Sequence, residues 1–127
     1  MADTRPATIL VVEDEPGIRR LIRTHLAQDG FVVIEAAGAE EASGVVQGYA
    51  GQISLAIVNI AMPGASGLDF ANEMSVRCPE MKILYVSGLK ESVAVGAISE
   101  RAPKAILLKP FSYPELRACV QRLLEGE

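Results

Sequence analysis

Five short apolar runs recur along this chain, and their pattern constrains the fold more than any other feature of the sequence. Each run is rich in Val, Ile and Leu and shows no alternation between apolar and polar residues. The runs span residues 8–13, 31–36, 53–59, 82–87 and 105–109. Runs of this kind are typical of strands that are buried on both faces, as in a parallel sheet covered by helices.

The segments between and after these runs carry apolar residues at helical spacing. The first stripe comprises Ile18, Leu21, Ile22 and Leu26, the second Ala42, Val45, Val46 and Tyr49, the third Leu68, Ala71 and Met74, and the last Leu116, Cys119, Val120, Leu123 and Leu124. Pro16 suits a first helical turn before the first stripe, and a Ser-x-Pro-Glu start precedes the last one. Residues 91–100 predict a weaker helix, because they contain Gly96 and two valines.

Five strand–helix units in succession predict a single domain over residues 1–127, built on an open, doubly wound α/β sheet. Ligands of such sheets bind beyond the carboxyl ends of the strands. The polar residues predicted at these ends are Glu13, Asp14, Asn59, Ser87 and Lys109. Two acids, a hydroxyl and a lysine outline a phosphoryl-binding pocket. The residue in the position of its nucleophile is an amide, which can neither attack phosphorus nor carry negative charge.

The charge balance argues against a nucleic-acid surface. Twelve basic and sixteen acidic residues give a net charge of −4, whereas nucleic-acid-binding domains normally carry a basic stripe or cluster. The small group Arg19, Arg20 and Arg23 is interpreted as a solvated helix face. No apolar run approaches the roughly 18 residues that span a bilayer, and the start lacks the apolar stretch of a signal peptide. We therefore expect a cytoplasmic protein without membrane contact.

Four sequence fragments resemble the receiver domain of two-component response regulators, and the resemblance covers nearly the whole chain. They read Ile-Leu-Val-Val-Glu-Asp-Glu-Pro at 9–16, Met-Pro-Gly at 62–64 with Ser-Gly at 66–67, Val-Ser-Gly at 86–88 and Leu-Lys-Pro-Phe at 108–111. Each fragment is weak alone, but all four occur in order at predicted strand ends. The resemblance implies a flavodoxin-like (CheY-like) sheet of five parallel strands in the order 2-1-3-4-5, with helices on both faces.

The resemblance also implies a role for each residue of the pocket. An aspartate at the position of Asn59 would take a phosphoryl group from a phosphohistidine. Glu13 and Asp14 would hold Mg²⁺, a hard cation suited to carboxylates. Ser87 and Lys109 would contact the phosphoryl oxygens. The Lys109–Pro110 peptide bond is expected to be cis, an isomer that is plausible only before proline.

Three departures from the receiver pattern lie in its phosphorylation switch. Asn59 replaces the phospho-accepting aspartate, and the switch position three residues before the lysine, commonly aromatic, is Ile106. An aromatic residue also often follows the Ser-Gly pair, where this chain has Leu89 and Lys90. All three departures affect residues that act together in the response to phosphorylation. They therefore favour a natural loss of the phosphorylation switch over a single laboratory substitution.

Charge in the pocket supports this interpretation. Three carboxylates within about 4 Å would repel by roughly 4 kcal/mol per pair at an effective dielectric constant of 20. The amide of Asn59 removes two of these repulsions and is expected to free Lys109 to pair with Glu13 or Asp14. We therefore expect Mg²⁺ binding through Glu13, Asp14 and the Asn59 carbonyl to be weaker than in a typical receiver.

The leading hypothesis is a receiver-like module of a two-component phosphorelay, a pseudo-receiver that is neither phosphorylated nor an enzyme. Its expected partners are proteins, namely a histidine kinase or a downstream signalling protein. It would bind them, or dimerise, through the predicted fourth helix, fifth strand and last helix. The alternative is an ordinary phospho-accepting receiver in which Asn59 replaces a native aspartate. A remote alternative is a metal-dependent phosphohydrolase on the same fold, which needs Asp-x-Asp where residues 13–16 read Glu-Asp-Glu-Pro.

Overall fold

A computed structural model describes residues 6–49, 52–61, 67–88 and 104–126 of the chain. The strands are β1 (Thr8–Val12), β2 (Val32–Ala36), β3 (Leu55–Asn59), β4 (Lys82–Ser87) and β5 (Lys104–Leu108). The helices are α1 (Pro16–Gln28), α2 (Ala39–Tyr49), α3 (Gly67–Arg77) and α4 (Tyr113–Leu124). The helix predicted over residues 91–100 lies outside the described residues, as do Leu89, Lys90 and the fragment at 62–64.

The five strands form one parallel sheet in the order β2-β1-β3-β4-β5, which confirms the predicted topology. Strand β3 pairs with β1 on one side and with β4 on the other. The register places Val12 beside Val58 and Asn59 beside Val86. The carboxyl ends of these strands therefore meet at one edge of the sheet.

Side chains on the two faces of the sheet form two separate cores. Successive strand residues point to opposite faces, so Leu10 and Val12 join the first core while Ile9 and Val11 join the second. Helices α2 and α3 close the first core, and α1 and α4 close the second. The helical residues of the second core are Ile22, Leu26, Leu116, Cys119, Val120 and Leu123. Burial on both faces explains why the central strands β1 and β3 consist almost entirely of apolar residues.

The apolar stripe of α1 is buried over less of its length than the sequence predicted. Ile22 and Leu26 lie in the second core, whereas Ile18 and Leu21 are 42% and 50% exposed. The contact of α1 with the core therefore begins only at Ile22. In the described part of the chain, no helix combines the length and apolar character needed to cross a bilayer.

Side-chain caps begin the two helices of the second core. At α4, the Ser112 hydroxyl accepts from the Glu115 N–H at 3.3 Å, and Glu115 Oε1 accepts from the Ser112 N–H at 3.0 Å. This is the capping box that the Ser-x-Pro-Glu start predicted. At α1, the Glu15 carboxylate accepts from the Gly17 N–H at 3.0 Å and from the Ile18 N–H at 2.7 Å. Glu15 therefore stabilises a helix start.

Contacts outside the core also hold α1 against α4. The His25 ring on α1 stacks on Tyr113 at the start of α4, with ring centroids 3.5 Å apart and planes inclined by 12°. Arg117 of α4 pairs with Asp29 at the end of α1, with Nε 2.7 Å from Oδ2. The two helices are thus joined by a ring stack and an ion pair in addition to shared apolar packing.

The start of α3 packs so closely on the end of β3 that it requires glycine. A Cβ atom at Gly67 would lie 2.3 Å from the Asn59 carbonyl oxygen and 2.7 Å from Val58 Cγ1. Atoms that are not bonded cannot approach so closely. The absence of a side chain at position 67 therefore lets α3 lie against the residue that ends β3.

We predict that Gly67→Ala lowers the free energy of unfolding by about 1–3 kcal/mol, because the added methyl group forces α3 away from β3. The matched control is Gly44→Ala in α2, where a Cβ atom meets nothing within 4 Å. That control should gain about 0.5–1 kcal/mol, since alanine is the better helix former. Urea unfolding followed by circular dichroism measures both. Similar changes in the two variants would contradict the close approach.

Candidate functional site

The predicted pocket lies at the carboxyl edge of the sheet, where backbone hydrogen bonds fix the residues that follow the strands. The Glu13 N–H donates to the Ala36 carbonyl at 3.1 Å, which extends the pairing of β1 with β2. The Lys109 N–H donates to the Ser87 carbonyl at 2.9 Å, which extends the pairing of β5 with β4. Asn59 ends β3, between these pairs. An acid, an amide and a lysine therefore reach the same edge.

The side-chain amide of Asn59 is the centre of the pocket. Its Nδ2 donates to Glu13 Oε2 at 3.0 Å, to Asp14 Oδ1 at 3.3 Å and to the Ala61 carbonyl at 3.3 Å. Its Oδ1 accepts from Lys109 Nζ at 3.2 Å. Acceptors on one side and a donor on the other define which amide atom is nitrogen and which is oxygen. Asn59 is thus a buried, neutral bridge between two acids and a lysine.

Lys109 contacts the amide and not the acids, which corrects one expectation. The sequence predicted direct pairing of Lys109 with Glu13 or Asp14, but among the described residues no ion pair joins them. The physical reason lies in Asn59, whose Oδ1 gives the ammonium an acceptor while Nδ2 supplies donors to the carboxylates. The opposite charges therefore interact through a neutral group.

Glu13 is the more buried member of the acidic pair, with 4% of its surface exposed. Burial raises the pKa of Glu13, because the loss of water disfavours the charged form, and hydrogen bonding with Asp14 acts in the same direction. Hydrogen bonds from the Glu15 N–H and from Asn59, together with the charge of Lys109, oppose the rise without cancelling it. Glu13 therefore keeps its proton to a higher pH than an exposed glutamate does.

Arg19 belongs to the site, which the sequence interpretation missed. Its Nη1 donates to the Glu13 carbonyl at 2.7 Å, and its Nε lies 3.2 Å from Glu35 Oε1. Arg23 pairs with the other carboxylate oxygen of Glu35 at 3.3 Å. The interpretation as a solvated face is therefore wrong for Arg19, whose side chain is 18% exposed. The available signal was Glu35, an acid within an apolar strand, which calls for a cationic partner.

Two of the predicted residues lie outside the amide network. The Ser87 hydroxyl is buried and donates to the neighbouring Gly88 carbonyl at 2.7 Å. Ile106 and Leu108 lie on β5 and are 41% and 45% exposed. The Lys109–Pro110 peptide bond is cis. The structure thus joins the acids, the amide and the lysine in one network, while Ser87 ends β4 and Ile106 lies within β5.

Oxygen atoms of the kind that Mg²⁺ prefers converge at the centre of this network. Glu13 Oε2, Asp14 Oδ1 and the Ala61 carbonyl oxygen are the candidates to hold a metal ion. No group of three or more His, Cys, Asp and Glu side chains suited to a metal occurs within the described ranges. Asn59 Oδ1 faces Lys109, whereas its predicted part in Mg²⁺ binding requires it to face the acids. In this orientation the amide does not fit a metal ion.

Comparisons with known sequences point to a single family. The family described as "Response regulator receiver domain" matches residues 9–121. The chain is 31% identical over 121 residues to the sensor kinase CckA of Brucella abortus (strain 2308), which covers 95% of the chain and 13% of the kinase. It spans about half the length of two further curated relatives, both transcriptional regulatory proteins.

Solved structures of receivers share the fold. A response regulator receiver domain protein from Clostridium thermocellum has a TM-score of 0.85 at 28% identity, with 94% of each chain covered. The response regulator TrrA from Thermotoga maritima, solved in complex with Mg²⁺ and BeF, has a TM-score of 0.77 at 32% identity. That match covers 92% of this chain and 98% of TrrA. These similarities confirm the predicted resemblance and the predicted fold.

We predict that Glu13→Gln stabilises the protein at neutral pH. The folded-state pKa of Glu13 is raised above its ordinary value of 4.5, so between the two values the folded chain binds more protons than the unfolded chain. The stability that Glu13 contributes is therefore complete below 4.5 and is lost as the pH rises through the folded-state value. Glutamine keeps an acceptor for Asn59 and cannot ionise.

The measurement is urea unfolding of parent and variant from acidic to neutral pH. The gain in unfolding free energy for Glu13→Gln should be absent in acid and should grow as the pH rises. The matched control is Glu80→Gln, at an exposed glutamate, and it should not reproduce the gain of Glu13→Gln. A difference for Glu13→Gln that stays constant with pH would contradict the raised pKa.

Proposed function

Since the chain belongs to the response regulator receiver domain family, we propose that it works in two-component signalling as a pseudo-receiver. In this function it binds a protein partner in the cytoplasm, either a histidine kinase or a downstream signalling protein. It accepts no phosphoryl group and catalyses no reaction. The signal passes through binding alone.

The hydrogen-bonded amide of Asn59 carries this proposal. Phosphoryl transfer to a receiver needs a nucleophilic carboxylate, and an amide offers neither the charge nor a free lone pair on nitrogen. Its Nδ2 is engaged by Glu13 and Asp14, and its Oδ1 by Lys109. The cation that would meet incoming phosphoryl oxygens is thus already paired with position 59.

The same network supports an ordered pocket without phosphate. A carboxylate at position 59 would place an oxygen about where Nδ2 lies, which is 3.0 Å from Glu13 Oε2 and 3.3 Å from Asp14 Oδ1. Like charges about 4 Å apart repel by roughly 4 kcal/mol at an effective dielectric constant of 20. The amide replaces this repulsion by hydrogen bonds. The pocket therefore stabilises the fold without a bound ligand.

The apolar edge of β5 is the surface that we assign to protein binding and to dimerisation. Ile106 and Leu108 are 41% and 45% exposed on this edge strand. Exposed apolar side chains on the edge strand of a sheet favour association. An aliphatic side chain at the switch position cannot make the inward swing of an aromatic ring. The shape of this face therefore does not change with phosphorylation, as expected of a surface that binds its partner constitutively.

A second candidate function is that of an ordinary phospho-accepting receiver in which Asn59 replaces a native aspartate. It is favoured by the assembled pocket, because the two acids and Lys109 all lie within hydrogen-bonding distance of position 59. It would also bring Mg²⁺ into the pocket, and the similar protein TrrA was solved in complex with Mg²⁺ and BeF. The codon for residue 59 in the gene separates the candidates, since an aspartate codon would favour the second.

We predict that the protein takes up no phosphoryl group when it is incubated with Mg²⁺ and a small phosphodonor, whereas Asn59→Asp does. The variant restores a nucleophilic carboxylate beside Lys109, Glu13 and Asp14. Intact-mass spectrometry detects the adduct. The matched control is Asn72→Asp, which adds a carboxylate on the exposed side of α3 and should stay unmodified.

The outcomes of this assay separate the hypotheses. An adduct on the parent protein would overturn the proposed function, because another residue would have to be the acceptor. An adduct on Asn59→Asp alone supports a competent pocket that lacks its nucleophile. If Asn59→Asp also stays unmodified, the pocket has lost more than its nucleophile, and the second candidate fails.

We further predict that Asn59→Asp lowers the free energy of unfolding by about 1–3 kcal/mol without Mg²⁺, because hydrogen bonds to the carboxylates of Glu13 and Asp14 are replaced by repulsion. Mg²⁺ should restore most of this loss, since a divalent cation neutralises the added charge. Thermal unfolding with and without Mg²⁺ tests both statements, with Asn72→Asp as the control for an added surface charge. An unchanged melting temperature in both conditions would rule out the repulsion.

A further inference from the structure

The Asn59 nitrogen is surrounded by oxygen atoms in the way that a metal cation would be. Glu13 Oε2, Asp14 Oδ1 and the Ala61 carbonyl oxygen lie 3.0, 3.3 and 3.3 Å from Nδ2. The amide nitrogen has two N–H groups, so it cannot donate a separate hydrogen bond to each of three acceptors. Two carboxylates and a carbonyl are a ligand set suited to a hard divalent cation.

We propose that the Asn59 amide occupies the position of a divalent cation, so that the amide and Mg²⁺ compete for the same oxygen atoms. The proposal rests on the proposed function in taking Asn59 as the working residue of the pocket. Mg²⁺ requires oxygen ligands at about 2.0–2.1 Å, and an N–H donor among those oxygens excludes it. The metal binds only after the amide has moved away.

Lys109 is a positioning residue that holds the amide in this orientation. Half a turn of the amide would bring Oδ1 to the acids, where it could join a metal site. The same turn would direct the NH₂ group at Lys109 Nζ, which now lies 3.2 Å from Oδ1. An ammonium group is a donor without acceptors, so the turn would lose a charge-assisted hydrogen bond and bring donors together. Oδ1 therefore cannot serve Lys109 and a metal at once.

The arrangement makes the shape of the pocket independent of Mg²⁺. The amide supplies hydrogen bonds that the acids would otherwise obtain from a cation, and Lys109 supplies positive charge nearby. The side-chain positions of Glu13 and Asp14 should therefore not change with the concentration of Mg²⁺.

The test is a calorimetric titration of the whole chain with Mg²⁺, comparing the parent with Asn59→Ala. We expect Asn59→Ala to bind Mg²⁺ about tenfold more tightly, or better, because the truncation frees the oxygens from a competing donor. A metal role for Asn59 Oδ1 predicts the opposite, since the truncation would then remove a ligand. No phosphodonor is present, so failure here leaves the result of the mass assay, and with it the proposed function, untouched.

A double-mutant cycle isolates the role of Lys109. Lys109→Ala removes a positive charge, which strengthens Mg²⁺ binding in any background. In the parent it also releases the amide, so the gain in affinity should be larger there than in the Asn59→Ala background. Equal gains in the two backgrounds would overturn the positioning role, because only the charge would then matter.

A nuclear magnetic resonance measurement on the parent needs no substitution at position 59. The two Nδ2 protons of Asn59 should keep their chemical shifts at Mg²⁺ concentrations that saturate Asn59→Asp. Shifts that move with Mg²⁺ in the parent would overturn the proposal. So would Mg²⁺ binding by Asn59→Ala that is weaker than, or equal to, that of the parent. Absence of binding in both would also overturn it, because the vacated oxygens would then not form a cation site.

Discussion

The parallel pairing of β3 with β1 on one side and β4 on the other determines which residues meet at the pocket. Parallel strands end at a common edge, so residues that are distant in sequence become neighbours there. The register that places Val12 beside Val58 brings the following residues, Glu13 and Asn59, level with each other. Two cores, one on each face, hold the strands in this register. The site is thus a direct consequence of the sheet.

A buried neutral side chain at the centre lies within hydrogen-bonding distance of a buried acid, a half-buried acid and an exposed lysine. Charges removed from water are costly unless hydrogen bonds compensate them. The Asn59 amide donates to the acids and accepts from Lys109, so it serves both signs of charge. Across the described ranges, no buried polar side-chain atom lacks a hydrogen-bond partner. A pocket satisfied in this way has less to gain from binding an ion.

The features of the fold that depend on sequence pattern could be predicted, and those that depend on side-chain direction could not. Unbroken apolar runs predicted the strands, and strand ends predicted that Glu13, Asn59 and Lys109 would converge. The direction of the Asn59 amide depends on where the long Lys109 side chain places its ammonium, which no spacing encodes. Arg19 and Arg23 both pair with Glu35 on β2. Arg19 is further set apart by its hydrogen bond to the Glu13 carbonyl, which depends on the direction of its side chain. That direction exists only once the helix has packed.

The contact between α1 and α4 has a mechanical consequence. Helix α1 follows the acidic pair and α4 follows Lys109, so each helix is attached to one side of the pocket. The stack of His25 on Tyr113 holds these two helices together. If the two helices moved apart, α1 would carry the acids and α4 would carry Lys109 away from each other. The hydrogen bonds of the Asn59 amide, which join the two sides, would then be stretched. A partner that binds both helices would make the pocket more rigid without contacting it.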